Sequence, residues 1–214
     1  MMPAQPPPDA LPFPEDPWEQ LDLARGLGLP RAAGPWSYGS AGRTAAAVPP
    51  AVWRLLLNDT RTRRRYAENV HQRRPADCWF WLGAISSTGH GKMRASNRAC
   101  GVSRVVTAHV YGYQLAHGAI EALPGDDPVI AHRCDEASCQ NPAHWRRGTR
   151  AENNTEYAER RRRLSGPLAD VRGAAGRAVA VRDAILRARS SGADVEAAIA
   201  AALAEGLGDA PTLF

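Results

Sequence analysis

Cys134, Cys139 and His144 stand at intervals of five residues, and all three are residue types that ligate zinc. A structural zinc takes four Cys or His ligands, with Zn–S near about 2.3 Å and Zn–N near about 2.0 Å. One short loop therefore supplies most of a tetrahedral shell. Cys78 is the favoured fourth ligand, because it opens the run Cys-Trp-Phe-Trp-Leu, which reads as a core strand. Cys100, in an exposed turn bounded by Gly101, is the competitor.

Two more residues bracket that loop. His132 lies two positions before Cys134, so on an extended strand both side chains share a face. An unliganded imidazole there has the proton affinity of a general base near neutrality. The alternative makes His132 itself the fourth zinc ligand. Asn153 falls one turn into a helix, where its amide oxygen is a hard donor suited to Mg²⁺, an ion that keeps several waters and accepts phosphate oxygens. Its neighbour Asn154 faces elsewhere.

The elements that must position these groups are legible in outline. Pro49-Pro50 opens a helix through Leu57, and a second helical piece follows Asp59-Thr60. Cys78–Leu82 reads as a strand, and Gly89-His-Gly-Lys-Met-Arg94 as a glycine turn entering another. Val102 to Val110 leads into a helix ending near His117. Leu123 to Pro128 is a turn and Val129–His132 a short apolar strand. Thr149-Arg-Ala-Glu152 is a capping box whose helix runs to about Arg163, before Gly166-Pro167. Residues 168–205 carry a helical pattern split at Ser190-Ser191-Gly192, with Val181, Ile185, Leu186, Val195, Ile199 and Leu203 as its apolar side. That hairpin either packs on the core, drives dimerisation, or reads DNA as a helix-turn-helix.

Composition narrows the class. The 214-residue chain carries a formal charge of +5, and Lys92 is its only lysine. Between residues 61 and 110 ten basic residues face only Glu68 and Asp77, a localised positive field that suits phosphate. Four cysteines are too few for a disulfide scaffold, which favours metal ligation in an intracellular protein. The N-terminus lacks signal-peptide character, and no apolar run approaches the ~20 residues of a membrane span. The expected organisation is a Pro/Gly-rich, largely disordered tail over 1–47, in which Trp18 and Leu21–Leu29 could dock as a short helix. A zinc-containing domain over 48–165 and a helical extension over 166–214 follow.

The series His132-x-Cys134-x4-Cys139-x4-His144-x8-Asn153 resembles the core of HNH (His-Me finger) endonucleases, and most of all their zinc-bearing branch of His-Cys box homing enzymes and phage HNH proteins. The start at Cys78, the Gly-His-Gly-Lys turn and Cys-Gln-Asn-Pro-Ala-His share that resemblance, which covers roughly residues 76–160. It implies an α+β chain with a small zinc-stabilised ββα-metal core. It implies His132 as general base, Asn153 as ligand of one catalytic Mg²⁺ (Mn²⁺ substituting), and structural Zn²⁺ on Cys78, Cys134, Cys139 and His144. Asn141-Pro142 would shape the loop. Lys92 or Arg94 would touch the scissile phosphate, and spacing does not choose between them. The implied partner is double-stranded DNA, cut by a monomer or a homodimer. Expected phosphate contacts are Arg61, Arg63, Arg64, Arg65, Arg73, Arg74, Arg98, Arg104, Arg160 and Arg161.

Two positions depart from the pattern. Ala131 stands where many HNH enzymes carry a metal-binding Asp, which leaves Asn153 as the sole protein ligand. Val110 stands where the phage proteins commonly have an arginine. A zinc deaminase is poorly supported, since it needs His-x-Glu and Pro-Cys-x-x-Cys and neither is present. The rival function is a non-catalytic zinc module that binds DNA or protein. It would need the zinc ligands but not His132 and Asn153 together.

Overall fold

Pro50 at a helix start costs nothing, since its missing N–H would be unpaired there anyway. The helix it opens, α1 (Pro50–Leu57), buries Val52, Trp53, Leu55, Leu56 and Leu57. Asp59 then caps α2 (Thr60–Glu68) by accepting from the Thr62 N–H at 2.7 Å. Thr62 is the one buried residue of α2; it anchors the helix by exchanging hydrogen bonds with the Ser96 backbone. The arginines of α2 consequently point outward.

In this computed structural model, residues 48–121, 128–162 and 165–207 are described. The expected tail over 1–47, its candidate helix near Trp18, and most of the turn at 123–128 lie outside them. The described chain is mixed α+β with three small antiparallel sheets. β1 (Val70–His71) pairs with β2 (Phe80–Trp81). β3 (Ala84–Ile85), β4 (Gly91–Asn97) and β5 (Val102–Thr107) form a meander. β5 runs into α3 (Ala108–His117). β6 (Pro128–His132) pairs with β7 (Trp145–Thr149), placing His132 opposite Trp145. The strand expected over Cys78–Leu82 is thus only two residues long. β7 is not foreshadowed in the sequence, because its Trp-Arg-Arg-Gly-Thr buries only Trp145 and has no apolar alternation.

Helix α4 (Arg150–Arg161) follows with both halves of the Thr149/Glu152 capping box formed. No residue of α4 is buried, and ion pairs of Arg146 with Glu156 and of Arg160 with Asp135 hold it to the hairpin and its loop. Then come α5 (Gly173–Ser191) and α6 (Val195–Glu205), broken where Gly192 adopts a left-handed conformation.

Strand period two makes β2 the wall between two cores. Trp81 faces a cluster with Val52, Leu55, Leu56, Met93 and Tyr111. Phe80 and Leu82 face the opposite way, against Val181, Ala184, Ile185, Ile199 and Ala202. The C-terminal hairpin therefore packs on the core. Leu186, expected on its apolar side, is 43% exposed, so the buried stripe turns through Ala184 and Ala188 instead.

Candidate functional site

The Cys134–His144 loop is pulled against β2 by backbone pairing. Gln140 N–H donates to the Trp79 carbonyl at 2.7 Å, Trp81 N–H donates to the Ser138 carbonyl at 3.2 Å, and Phe80 bridges Cys139. That pairing brings Cys78 to the loop. Buried Asn141 completes the join, donating to the Pro75 and Asp77 carbonyls at 2.8 and 2.7 Å while accepting from the Ala143 N–H. One ligand atom from each of Cys78, Cys134, Cys139 and His144 then lies within 4.8 Å of the others. His144 Nδ1 stands 3.7 Å from Cys78 Sγ and 3.5 Å from Cys139 Sγ. Cys100 sits elsewhere, half-buried against the first core.

The donor chemistry of this cluster fits a zinc-type ion. Hydrogen bonds among the three sulfurs push the Cys78 and Cys139 thiols up and hold Cys134 low, so Cys134 gives up its proton most readily. A borderline-soft cation would replace the thiol protons and satisfy all three sulfurs together. The cluster can bind a metal such as zinc.

The loop has a second anchor that the motif does not announce. Glu136, 1% exposed, accepts from Ser138 Oγ at 2.9 Å and from Arg177 Nε of α5 at 2.6 Å. Arg177 also pairs with Asp170 at 3.4 Å, and Asp170 in turn binds Arg172. Preceding this, Asp135 takes a left-handed φ of 56° and accepts from Arg160 at 2.8 Å. No periodicity signals contacts of this kind, since Glu136 and Arg177 are far apart in the chain.

His132 is separate from the metal cluster. Its Nε2 lies 2.9 Å from the Cys139 carbonyl, a group that can only accept, so Nε2 carries the hydrogen and Nδ1 is left with its lone pair. The Trp145 indole donates to the same carbonyl at 3.2 Å. Burial, above all, lowers the His132 pKa and keeps the ring neutral. His132 and Asn153 line one cavity of about 350 Å³ together with His90, Asp135, Tyr157 and Arg160. Asn153 is half-buried and Asn154 exposed.

Two histidines outside the sequence-derived set adjoin His132. His109 of α3 donates from Nε2 to the Ile130 carbonyl at 3.0 Å, and its ring centroid lies 4.4 Å from that of His132. His90 follows the turn at Gly89, where φ is +83° and a side chain would meet the Ala174 backbone. Its centroid is 5.9 Å from that of His132. Burial first, and then the repulsion that a protonated His132 would exert, brings His90 down to about 4 and His109 well below its ordinary value. The Gly-His-Gly turn is the one signal in the sequence, but only the tertiary fold joins it to His109.

The remaining expected residues are scattered. Lys92 donates to Thr107 Oγ1 at 2.8 Å and its charge reaches His90 and His109, whereas Arg94 is exposed and bonds Ser103 at 3.3 Å. Neither lines the cavity. Arg61, Arg64, Arg65, Arg74, Arg98, Arg104 and Arg161 are exposed, and Arg63 is exposed while bonding the Leu57 carbonyl. Arg73 forms a two-pronged pair with Glu196, and Arg160 is held by Asp135 and Glu156.

The chain is similar to two proteins of Escherichia phage T7. It is 30% identical to Protein 2.8 over 89 residues, which cover 42% of this chain and 55% of that protein. It is 26% identical to Protein 7.7 over 116 residues, or 54% of this chain and 82% of that protein. The chain thus spans little more than half the length of Protein 2.8. No protein-family profile matches the chain, and no solved structure does. Among the described residues no helix is long and apolar enough to cross a membrane.

Proposed function

We propose that this protein is a metal-dependent DNA endonuclease of the HNH (His-Me finger) type that hydrolyses phosphodiester bonds. The observation that carries the reading is His132: its Nε2–H is fixed on the Cys139 carbonyl, and the ring borders the cavity that Asn153 shares. A general base needs a neutral ring, a free nitrogen and a fixed orientation; burial favours the first, and the Cys139 hydrogen bond supplies the other two. The succession of the β6–β7 hairpin and α4 supports a ββα-metal arrangement, with His132 on the strand and Asn153 on the helix.

In this reading His132 takes a proton from the attacking water at Nδ1. The Cys139 carbonyl fixes the tautomer and stabilises the imidazolium that results. Cys78, Cys134, Cys139 and His144 would hold a zinc ion, and the Cys139 carbonyl on that same loop orients the base. Asn153 would present its amide oxygen to Mg²⁺, which when bound would offset charge on the phosphate oxygens. Lys92 is better placed than Arg94 to act on this region through its charge. The exposed arginines of α2 would position duplex DNA without reading its sequence.

Purified protein with Mg²⁺ should convert supercoiled plasmid to nicked or linear forms, and mapping the ends would report strand count and specificity. Binding of DNA without cutting, in either Mg²⁺ or Mn²⁺, would instead establish a non-catalytic zinc module.

A further inference from the structure

The proposed chemistry uses one imidazole of three. One nitrogen from each of His90, His109 and His132 lies within 4.8 Å of the other two. His109 is 4% exposed, and its Nδ1 is buried with no hydrogen-bond partner among the described residues. A buried acceptor left unsatisfied is costly, so a group in that state calls for a ligand.

One nitrogen of each ring has a hydrogen-bond partner that leaves the other nitrogen available as a lone pair. His109 and His132 each donate Nε2–H to a backbone carbonyl, of Ile130 and Cys139 respectively. His90 Nδ1 bonds Thr88 Oγ1 at 2.9 Å, and Thr88 bonds Ser86 in turn, which leaves Nε2 of His90 for a ligand. Metal-ligating histidines characteristically give their second N–H to a carbonyl or similar acceptor, which fixes tautomer and ring orientation. Among the described residues no carboxylate joins the three rings. Three imidazoles without a carboxylate suit a borderline transition ion and not Mg²⁺ or Ca²⁺.

We propose that His90, His109 and His132 form a second metal site, for a borderline divalent transition ion of the zinc type, distinct from the cysteine cluster. The site supplies three protein ligands. Its open side is the cavity, which His90 and His132 both line, so a water or an exogenous ligand completes the shell. With no thiolate, it holds its ion more loosely than the cysteine cluster does. An ion there takes up the ring nitrogen with which His132 would accept a proton, so transition metal in excess switches hydrolysis off. That consequence alone rests on the nuclease reading; metal binding does not.

The test is a metal count on the full chain with its cysteine cluster already loaded with zinc. Equilibrium dialysis against buffered free Zn²⁺ should give two ions per wild-type chain, the second stripped by mild chelation. His109→Gln should hold one, with unchanged circular dichroism. Should that variant fail to fold, His90→Gln, at a half-buried position, is expected to show the same loss. Co²⁺ added to the zinc-loaded wild type should give d–d bands without sulfur-to-metal charge transfer. One ion per wild-type chain, or two retained by a folded histidine variant, overturns the proposal, as does charge transfer from the added Co²⁺. A chain that binds two ions yet never cuts DNA refutes the nuclease reading and leaves the site intact. Mg²⁺-dependent cutting that excess zinc leaves unaffected, with one ion bound, does the reverse.

Discussion

Cys139 does three jobs with one residue. Its sulfur belongs to the metal cluster, its backbone pairs with β2, and its carbonyl receives both His132 and Trp145. Replacing the thiol with a hydroxyl should therefore disturb more than ligation. Cys139→Ser is expected to lose the tightly held zinc and most of the cooperative thermal transition, because structural zinc contributes on the order of 10 kcal/mol to small zinc domains. Zinc content and a melting curve check this; a variant that melts like wild type without zinc would show the cluster to be dispensable. Asn153→Ala, by contrast, should keep zinc and stability while raising the Mg²⁺ concentration needed for cleavage. A cleavage titration in Mg²⁺ reads that shift, and an unchanged requirement would remove Asn153 from the metal site.

At the level of elements, the Cys134–His144 loop is clamped between β2 and α5. The α5 contact is an ion pair between Arg177 Nε and Glu136, both nearly inaccessible. Removing one member strands a buried charge, which costs about 3–5 kcal/mol. Arg177→Met is accordingly expected to lower the unfolding free energy in urea by that amount, with cleavage falling as the loop loosens. A change below ~1 kcal/mol would mean that the hairpin is only appended to the core.

This clamp also separates what a sequence reveals from what it conceals. The Cys134–Cys139–His144 intervals and the Thr149/Glu152 box are local, and both are legible in the order of residues alone. The choice of Cys78 over Cys100 is legible too, because an aromatic run marks a core strand. Glu136 with Arg177, and His90 with His109, meet only through tertiary packing between distant segments. Leu186 misleads because helix periodicity fixes a stripe's spacing but not its rotation against a neighbour. β7 is hidden because four of its five residues lie at least partly in solvent.

Across the whole molecule, charge and protonation set the conditions for function. The pKa values of His90 and His109 fall below the unfolded value of about 6.5, so the unfolded chain takes up their protons first. Their stabilisation is complete above about pH 6.5 and declines as pH falls toward 4; His90 alone accounts for about 3 kcal/mol over that range. Urea denaturation at pH 7 and pH 5 should show the loss, and His90→Asn should flatten it. An equal slope in that variant would place the acid sensitivity elsewhere. The arginines of α2 predict a DNA affinity that falls steeply with salt. Replacing Arg61 and Arg64 together with alanine should reduce the log–log salt slope by up to about 2 and weaken all sequences alike. A sequence-dependent loss would instead make them base contacts.

In the proposed mechanism His132 serves the chemistry and takes no part in the cysteine cluster that would hold structural zinc. That separation is tested most directly by His132→Ala, assayed in parallel for plasmid cleavage with Mg²⁺ and for zinc at the cysteine cluster. The expected result is a folded protein that keeps its tightly bound zinc and cuts at least about 10²-fold more slowly than wild type. Cleavage at the wild-type rate, or loss of that zinc together with the fold, would contradict it.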